Sequence, residues 1–303
     1  MPLDTRALQA ELRRTLSGEV RFDAYSRAMY STDASIYQMQ PVGVVIPRNA
    51  DDVAAAIATC ASSGVAVLPR GGGTSLAGQT VNHAVVMDFS KYMRNVLEVN
   101  PDERWVRAQP GITLDELNRH LRPHGLHFTP DPTTSSRATV GGAIGNNSCG
   151  AHSVVYGKTS DHVKELRVVL SDGQPAAFQP LTGAALDAKL AQPGLEGSIY
   201  RGVPHIAAEQ RQEIERRYPK IRRRVSGYNL DMMLGGGPTN LAKLVVGSEG
   251  TLVAVTEAKL NLEPLPKMKA LAVLPFRALV ESMAAAMAVL GHSPSAVELL
   301  DKM

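Results

Sequence analysis

Residues 69–79 read Pro-Arg-Gly-Gly-Gly-Thr-Ser-Leu-Ala-Gly-Gln and lie between two apolar runs, Val65–Leu68 and Val85–Met87. Three consecutive glycines weaken both helix and strand. Their use is close approach of backbone. Without Cβ atoms, the amides of Gly71, Gly72 and Gly73 can turn inward as a nest of N–H donors for an anion. Thr74, Ser75 and Gln79 add side-chain donors, Gly78 keeps the far arm narrow, and Pro69 and Arg70 open the loop. A phosphorylated cofactor is the natural guest, and Gly72 is expected to lack a side chain because the phosphate takes its space. A Walker loop is excluded because no Lys follows the last glycine. A dinucleotide G-x-G-x-x-G is excluded because Leu76 stands where its last Gly belongs. The alternative is an ordinary surface glycine turn.

A second unusual stretch, residues 139–153, holds four Gly, two Asn and two Ser, with Val140, Ala143 and Ile144 interleaved. It suits a backbone that wraps a polar, planar ligand while keeping one side in the core. Read as a long polar stretch from Pro130 to Gly157, it competes with the alternative of a flexible loop.

The elements that position these loops follow from pattern. Residues 3–16 carry Leu3, Leu8, Leu12 and Leu16 on one helical face. Val42–Ile46 is a short strand, Asn49 caps a helix over Ala54–Ser62, and Val65–Leu68 is the next strand, so a strand–helix–strand unit feeds the glycine loop. Asn95–Val99 and Arg104–Ala108 form a hairpin. Thr113 caps a helix that Gly125 closes. Val163–Leu170 and Leu252–Leu262 are strands, and His205–Tyr218 is a helix. After Pro264 and Pro266, Ala270–Phe276, Ala278–Leu290 and Ala296–Leu300 read as strand, helix and strand. The fold class is α+β.

Composition narrows the function. The 303 residues suffice for about two domains. A net charge of +3, one Trp and five Phe give no case for nucleic-acid binding. Cys60 and Cys149 form neither a disulfide framework nor a metal site by spacing, which fits a reducing compartment. The N-terminus lacks the apolar centre of a signal peptide, and no apolar run reaches the ~18 residues of a membrane span. The expected location is cytoplasmic, with at most peripheral membrane association. The eight histidines form no convincing cluster, so no metal site is expected.

Residues 69–79, residues 141–157 and Val246-Gly247-Ser248-Glu249-Gly250-Thr251-Leu252 together resemble the FAD-binding domain of the vanillyl-alcohol oxidase and p-cresol methylhydroxylase superfamily. The similarity is greatest to its D-lactate dehydrogenase, glycolate oxidase and D-2-hydroxyglutarate dehydrogenase branch. Asn146-Asn147-Ser148-Cys149-Gly150 and Ser226-Gly227-Tyr228-Asn229-Leu230-Asp231 resemble long members fused to an iron–sulfur electron-transfer domain. The resemblance implies a two-subdomain FAD-binding fold at residues 37–266, a small strand–helix–strand subdomain plus an antiparallel-sheet subdomain. An N-terminal helical segment (residues 1–36) precedes it, and the start of an incomplete α+β substrate or cap domain (residues 267–303) follows.

The same resemblance implies the site. Arg70–Gly73, Thr74, Ser75, Gly78 and Gln79 would hold the FAD pyrophosphate, and Asp131 and Thr134 would line the flavin side. Gly141, Gly142, Asn146, Gly150 and Gly157 would wrap the ribityl and isoalloxazine portion. Asp161, His162 and Val163 would sit near the adenine or the ring edge, with Glu249 and Gly250 closing the site. The first loop has no His, so noncovalent FAD is expected. The implied chemistry is oxidation of a D-2-hydroxy acid such as D-lactate, glycolate or D-2-hydroxyglutarate by hydride transfer to flavin N5, with electrons passing to a separate acceptor, an iron–sulfur domain or subunit among them. The family's catalytic base and metal-binding histidines belong to a later motif not found here, and Tyr228 and Asn229 are the candidates for the substrate side. The alternative is an FAD-binding module or truncated subunit without complete catalytic machinery. The basic run Arg216–Arg224 reads as a solvated face or as a docking place for a substrate carboxylate or partner.

Overall fold

The structure, a computed structural model, describes residues 3–301. Met1, Pro2, Lys302 and Met303, the outer ends of the expected terminal segments, lie outside the described residues.

The first sheet is built from β1 (Glu19–Arg21), β2 (Gly43–Ile46), β3 (Val67–Arg70) and β4 (Val85–Asp88), in the order β1-β2-β4-β3. β2, β4 and β3 are parallel, and β1 is an antiparallel edge. All four residues of β2 and of β4 are buried, as strands covered on both faces must be. β1 comes from the segment expected to be only helical. Its register, Glu19 opposite Ile46 and Arg21 opposite Val44, makes it part of this sheet.

The helix Ala50–Ser62 connects β2 to β3. Its Asn49 cap accepts from the Asp52 amide at 2.9 Å. The buried Asp52 carboxylate turns outward from the helix, accepting from the Ser17 amide and the Arg48 amide at 2.8 Å each. That ties the N-terminal helix (Thr5–Thr15) to the parallel unit. Leu8 and Leu12 of that helix pack with Val53, Ala56, Ile57 and Cys60 of the connecting helix over Val45, Val85 and Met87. Truncation of a leucine so buried costs about 2–5 kcal/mol.

The second sheet is antiparallel. Its strands are β5 (Val96–Asn100), β6 (Trp105–Ala108), β8 (Val163–Val169), β9 (Pro175–Phe178) and β10 (Ala254–Asn261), in the order β5-β6-β10-β8-β9. A small ribbon pairs β7 (Leu126–His127) with β11 (Glu263–Pro264). β10 alternates buried and half-buried residues along its length, so one face meets the largest core. Strand β10 enters the middle of the sheet from far along the chain, a pairing that local pattern cannot specify. Val169 and Ala254 of this sheet also pack into the core of the first unit. Helix Ala50–Ser62 is thus pinned between the two sheets.

Three expectations are corrected. The stretch 139–153 is not an extended wrap: Val140–Asn146 is a helix, capped by Thr139 Oγ1, which accepts from Gly142 N at 3.2 Å. Val140, Ala143 and Ile144 are each 1% exposed, and burying this spaced trio outweighs the helix cost of the glycines. Second, the expected helix His205–Tyr218 is divided at Gln210 into Gly194–Glu209 and Arg211–Arg217. Third, Ala270–Phe276 and Ala296–Leu300 are not strands, although the helix between them forms at Leu279–Leu290. Neither segment pairs with a strand of the described sheets, and Leu271, Val273 and Leu300 stand 80–92% exposed.

Glu19 anchors the edge strand electrostatically. Its carboxylate pairs with Lys91 and Arg21 and accepts from the Tyr92 hydroxyl at 2.7 Å. These partners, Lys91 first and Tyr92 second, hold its pKa down to about 2 from 4.5. A depressed carboxyl stabilises the fold above its unfolded pKa and loses that contribution as pH falls toward the folded one. Glu19→Gln should therefore cost roughly 0.5–1 kcal/mol near neutral pH. The difference from wild type, read from urea melts, should close between pH 4.5 and about 2; a gap independent of pH would show that the ion pairs contribute nothing.

Candidate functional site

Three loops far apart in sequence meet around one cleft. Pro69, Arg70, Gly71, Ser75 and Gln79 come from the end of β3, Gly141, Gly142, Ile144 and Gly145 from the glycine helix, and Ser248, Glu249 and Gly250 from the turn before β10. The empty space is about 660 Å³, including its open mouth. Its floor is apolar, from Phe89, Pro110, Ile144, Val245, Val253 and Val255.

The loops are fastened by contacts that admit no side chain. A Cβ on Gly71 would lie 2.1 Å from Thr139 Oγ1, and one on Gly72 would lie 2.1 Å from the Arg137 carbonyl oxygen. The glycine loop therefore rests directly on the backbone leading into the glycine helix. Gly72 is needed for this protein–protein approach, which corrects the expectation that a ligand alone takes its Cβ space. The third loop joins the second through Gly247 N to Ile144 O and Glu249 N to Gly145 O, each 2.9 Å. Gly250 closes the ring against Pro69, where an added Cβ would sit 3.4 Å from Cδ.

Glu249 occupies left-handed backbone with φ 52°, a conformation that costs an ordinary side chain energy. Burial pushes its carboxyl pKa up, and a hydrogen bond from Gln79 opposes that shift only in part. Arg70 is committed elsewhere than expected. Its guanidinium donates to the carbonyls of Thr32 at 2.7 Å, Thr80 at 2.9 Å and Tyr30 at 3.3 Å, and lies over the Tyr30 ring. It braces the loop from behind. Gly73, in left-handed backbone, sits against that guanidinium, Gly78 abuts the Tyr37 ring, and Thr74 is half-buried beside them.

The remaining sequence candidates divide. Asp131 forms an ion pair with His152 Nδ1 and accepts from the His152 amide at 3.3 Å. Gly150 packs on Asp131, where an added Cβ would lie 2.1 Å from Oδ1. Thr134 is exposed, its carbonyl accepting from Arg137 N and Ala138 N at 2.7 Å each. Asn146 is exposed at the end of the glycine helix, its Nδ2 3.1 Å from Ser148 Oγ. Asp161 accepts from Lys158 N at 2.9 Å and abuts Gly157. His162, 4% exposed, sits with Nε2 2.7 Å from the Tyr156 carbonyl oxygen and 2.9 Å from Thr129 Oγ1. Val163 is fully buried in the main core. His162 and Val163, expected near the adenine or the ring edge, thus have buried side chains.

Asn229, a candidate for the substrate side, is buried too. It is 1% exposed, and its amide donates to the carbonyls of Val246 at 2.7 Å and Lys243 at 3.2 Å. It holds the backbone that precedes the third loop. Tyr228 is 42% exposed, with its hydroxyl 2.8 Å from Thr251 Oγ1. Sequence reasoning missed Phe89, Pro110, Thr139, Gly145 and Ser248. Gly145 and Thr139 carried a signal, being in the same glycine-rich run; Phe89 and Pro110 are brought in by chain reversal alone.

A cleft with backbone walls stripped of Cβ atoms, hydroxyl and amide donors at its rim and an apolar floor fits a flat, phosphate-bearing group. Comparison with known proteins agrees. Residues 41–177 match the family described as FAD binding domain. The chain is 40% identical to a D-2-hydroxyglutarate dehydrogenase of Pseudomonas putida, over 97% of this chain and 30% of that protein. It is 32% identical to glycolate oxidase subunit GlcD of Bacillus subtilis, over 84% of this chain and 44% of that one. In fold it is similar to an alkyldihydroxyacetonephosphate synthase structure, with a TM-score of 0.60 at 20% identity, covering 87% of this chain and 41% of the other. The chain spans 25–30% of the length of the D-2-hydroxyglutarate dehydrogenases of P. putida, Pantoea ananatis and Escherichia coli.

Two outcomes follow from the geometry. Gly72→Val should lower the melting temperature of the cofactor-free chain, by overpacking of about 1–3 kcal/mol, as well as weaken FAD retention. An unchanged apo melt with FAD lost would return the role of Gly72 to the ligand alone. For Glu249, an acid whose folded pKa is raised stabilises the fold below its unfolded value of 4.5 and loses that contribution as pH rises through the folded pKa. Glu249→Gln, which keeps the neutral form, should flatten the fall in apo melting temperature above pH 4.5; an identical slope in the two proteins would place the carboxylate in water.

Proposed function

We propose that this chain, whose residues 41–177 carry an FAD binding domain, is the flavin-holding part of an oxidoreductase that oxidises a D-2-hydroxy acid. The observation that carries the reading is the convergence of loops 69–79, 141–145 and 248–250 on one glycine-walled cleft. The 40% identity to D-2-hydroxyglutarate dehydrogenase supports the substrate class. FAD bound in the cleft supplies a two-electron acceptor for the hydride on the carbinol carbon. The protein's own part is to bind and orient it. The amides of Gly71–Gly73 with Ser75 and Gln79 are assigned to the pyrophosphate, and the glycine helix with the apolar floor to the flat ring system. The chain's attachment to FAD is noncovalent in this reading, because residues 69–79 contain no His.

The hydroxyl proton of the substrate needs a base, and its carboxylate needs positive charge. Electrons then leave to a separate acceptor, for which an iron–sulfur domain or subunit is the fitting class, and a cytoplasmic location is consistent with the absence, among the described residues, of a helix long and apolar enough to cross a membrane. The second reading is an FAD-holding module that needs further protein for turnover. It is favoured by Asn229, one of the two substrate-side candidates, being spent on the backbone carbonyls of Val246 and Lys243.

Anaerobic addition of D-2-hydroxyglutarate or D-lactate to the FAD-loaded chain should bleach the flavin bands, and acid precipitation should leave the flavin in the supernatant. Flavin that dithionite reduces but neither hydroxy acid does would favour the module. A flavin pellet would overturn the noncovalent assignment.

A further inference from the structure

The basic run supplies a site that the cleft does not contain. Residues 220–228 form an irregular, mostly exposed strap after the helix Arg211–Arg217. It is fastened at both ends. Arg224 makes two hydrogen bonds to Asp231, at 2.7 and 2.6 Å, and lies 4.8 Å from the Tyr218 ring centroid. The Tyr218 hydroxyl donates to the Tyr228 carbonyl at 2.8 Å. Beyond it, the strap lies on the third cleft loop: an added Cβ on Gly247 would be 3.2 Å from the Gly227 carbonyl oxygen, and Tyr228 reaches Thr251.

Between these fastenings the strap crosses the loop that follows the glycine helix. Arg222 Nη1 donates to the Val154 carbonyl at 3.3 Å and Arg223 Nη2 to the Ala151 carbonyl at 3.4 Å. Two guanidinium groups are thus brought to the turn at Ala151 and the start of the short helix Ser153–Tyr156, pinned by the His152–Asp131 pair. Their neighbours Arg216 and Arg217 pair with Glu213, and Arg224 with Asp231. No ion pair among the described residues engages Arg222 or Arg223, and both are exposed. Each long bond to a carbonyl orients its guanidinium while leaving other N–H donors of the fork free, the arrangement that receives a carboxylate in bidentate fashion.

We infer that Arg222 and Arg223 form a carboxylate-binding site beside the flavin cleft, with an organic dicarboxylate as the ligand class. The inference rests on the hydroxy-acid reading above, and it selects a dicarboxylic hydroxy acid over a monocarboxylic one. Two adjacent cationic forks serve two carboxylates, and a monocarboxylate leaves one of them unanswered.

Calorimetric titration of the FAD-loaded chain should show tighter binding of D-2-hydroxyglutarate than of D-lactate. Replacing both residues, R222Q/R223Q, should weaken the dicarboxylate by about tenfold or more, with flavin content unchanged. Arg216→Gln, which removes one charge from the same run, should leave that affinity within about twofold, as for a rim charge screened by salt. The inference is overturned if the double variant binds as wild type does, if Arg216→Gln causes the same loss, or if the wild-type chain does not bind the dicarboxylate. If the double variant loses binding while the hydroxy acid leaves wild-type flavin oxidised, the strap site stands and the oxidoreductase reading falls.

Discussion

Everything in the cleft depends on backbone meeting backbone where side chains are missing. Gly71 and Gly72 lie on the chain at Arg137–Thr139, Gly250 lies on Pro69, and the amides of Gly247 and Glu249 bond to carbonyls at the end of the glycine helix. Each of the three loops touches the other two. A single methyl group at Gly71 or Gly72 would enter the van der Waals shell of an oxygen, so the ring of contacts tolerates little change. The walls that this closure leaves are amide and carbonyl surface over an apolar floor, which is a receptor for a flat anionic cofactor before any specific side chain acts.

The two sheets serve that closure differently. The parallel sheet delivers the first loop at the end of β3, beyond the strands' carboxyl ends, where such sheets leave room for ligands. The antiparallel sheet delivers the third loop through β10, which pairs with both β6 and β8. Helix Ala50–Ser62 contributes to a core that draws on both sheets, so the loops are held at fixed separation by packing against one rigid element. The positions that carry charge near the site then act as braces. Arg70 holds the first loop from behind through three carbonyls, and the Asp131–His152 pair holds the turn after the glycine helix.

The chemistry expected at Tyr228 and Asn229 is redistributed by the fold. Asn229 satisfies carbonyls that would otherwise be buried without partners, and Tyr228 secures the strap to Thr251. The positive charge outside the ion pairs of the described residues lies a few residues earlier, at Lys220, Arg222 and Arg223, of which the two arginines are oriented by carbonyls. A sequence run of six basic residues reads as one feature, yet three of its members are neutralised by Glu213 and Asp231 within the structure. Only the pairing pattern separates structural arginines from those left to meet a ligand.

The glycine loop, the α+β class, the capped helices and the resemblance to an FAD binding domain were legible in the sequence because each rests on local chemistry. Gly71–Gly73 can serve only where backbone comes close, and Asn49 and Thr113 announce helix starts by their side-chain oxygens. The tertiary structure decided what depends on distant partners. It turned the second glycine stretch into a helix because Val140, Ala143 and Ile144 found a core to enter. It drew Glu19–Arg21 into a sheet because β2 offered an open edge, and it left residues 270–276 without a partner strand. It buried His162, Val163 and Asn229, a property that residue type alone does not announce for a histidine or an asparagine. Local preference is written residue by residue, whereas burial and pairing are properties of the folded chain as a whole.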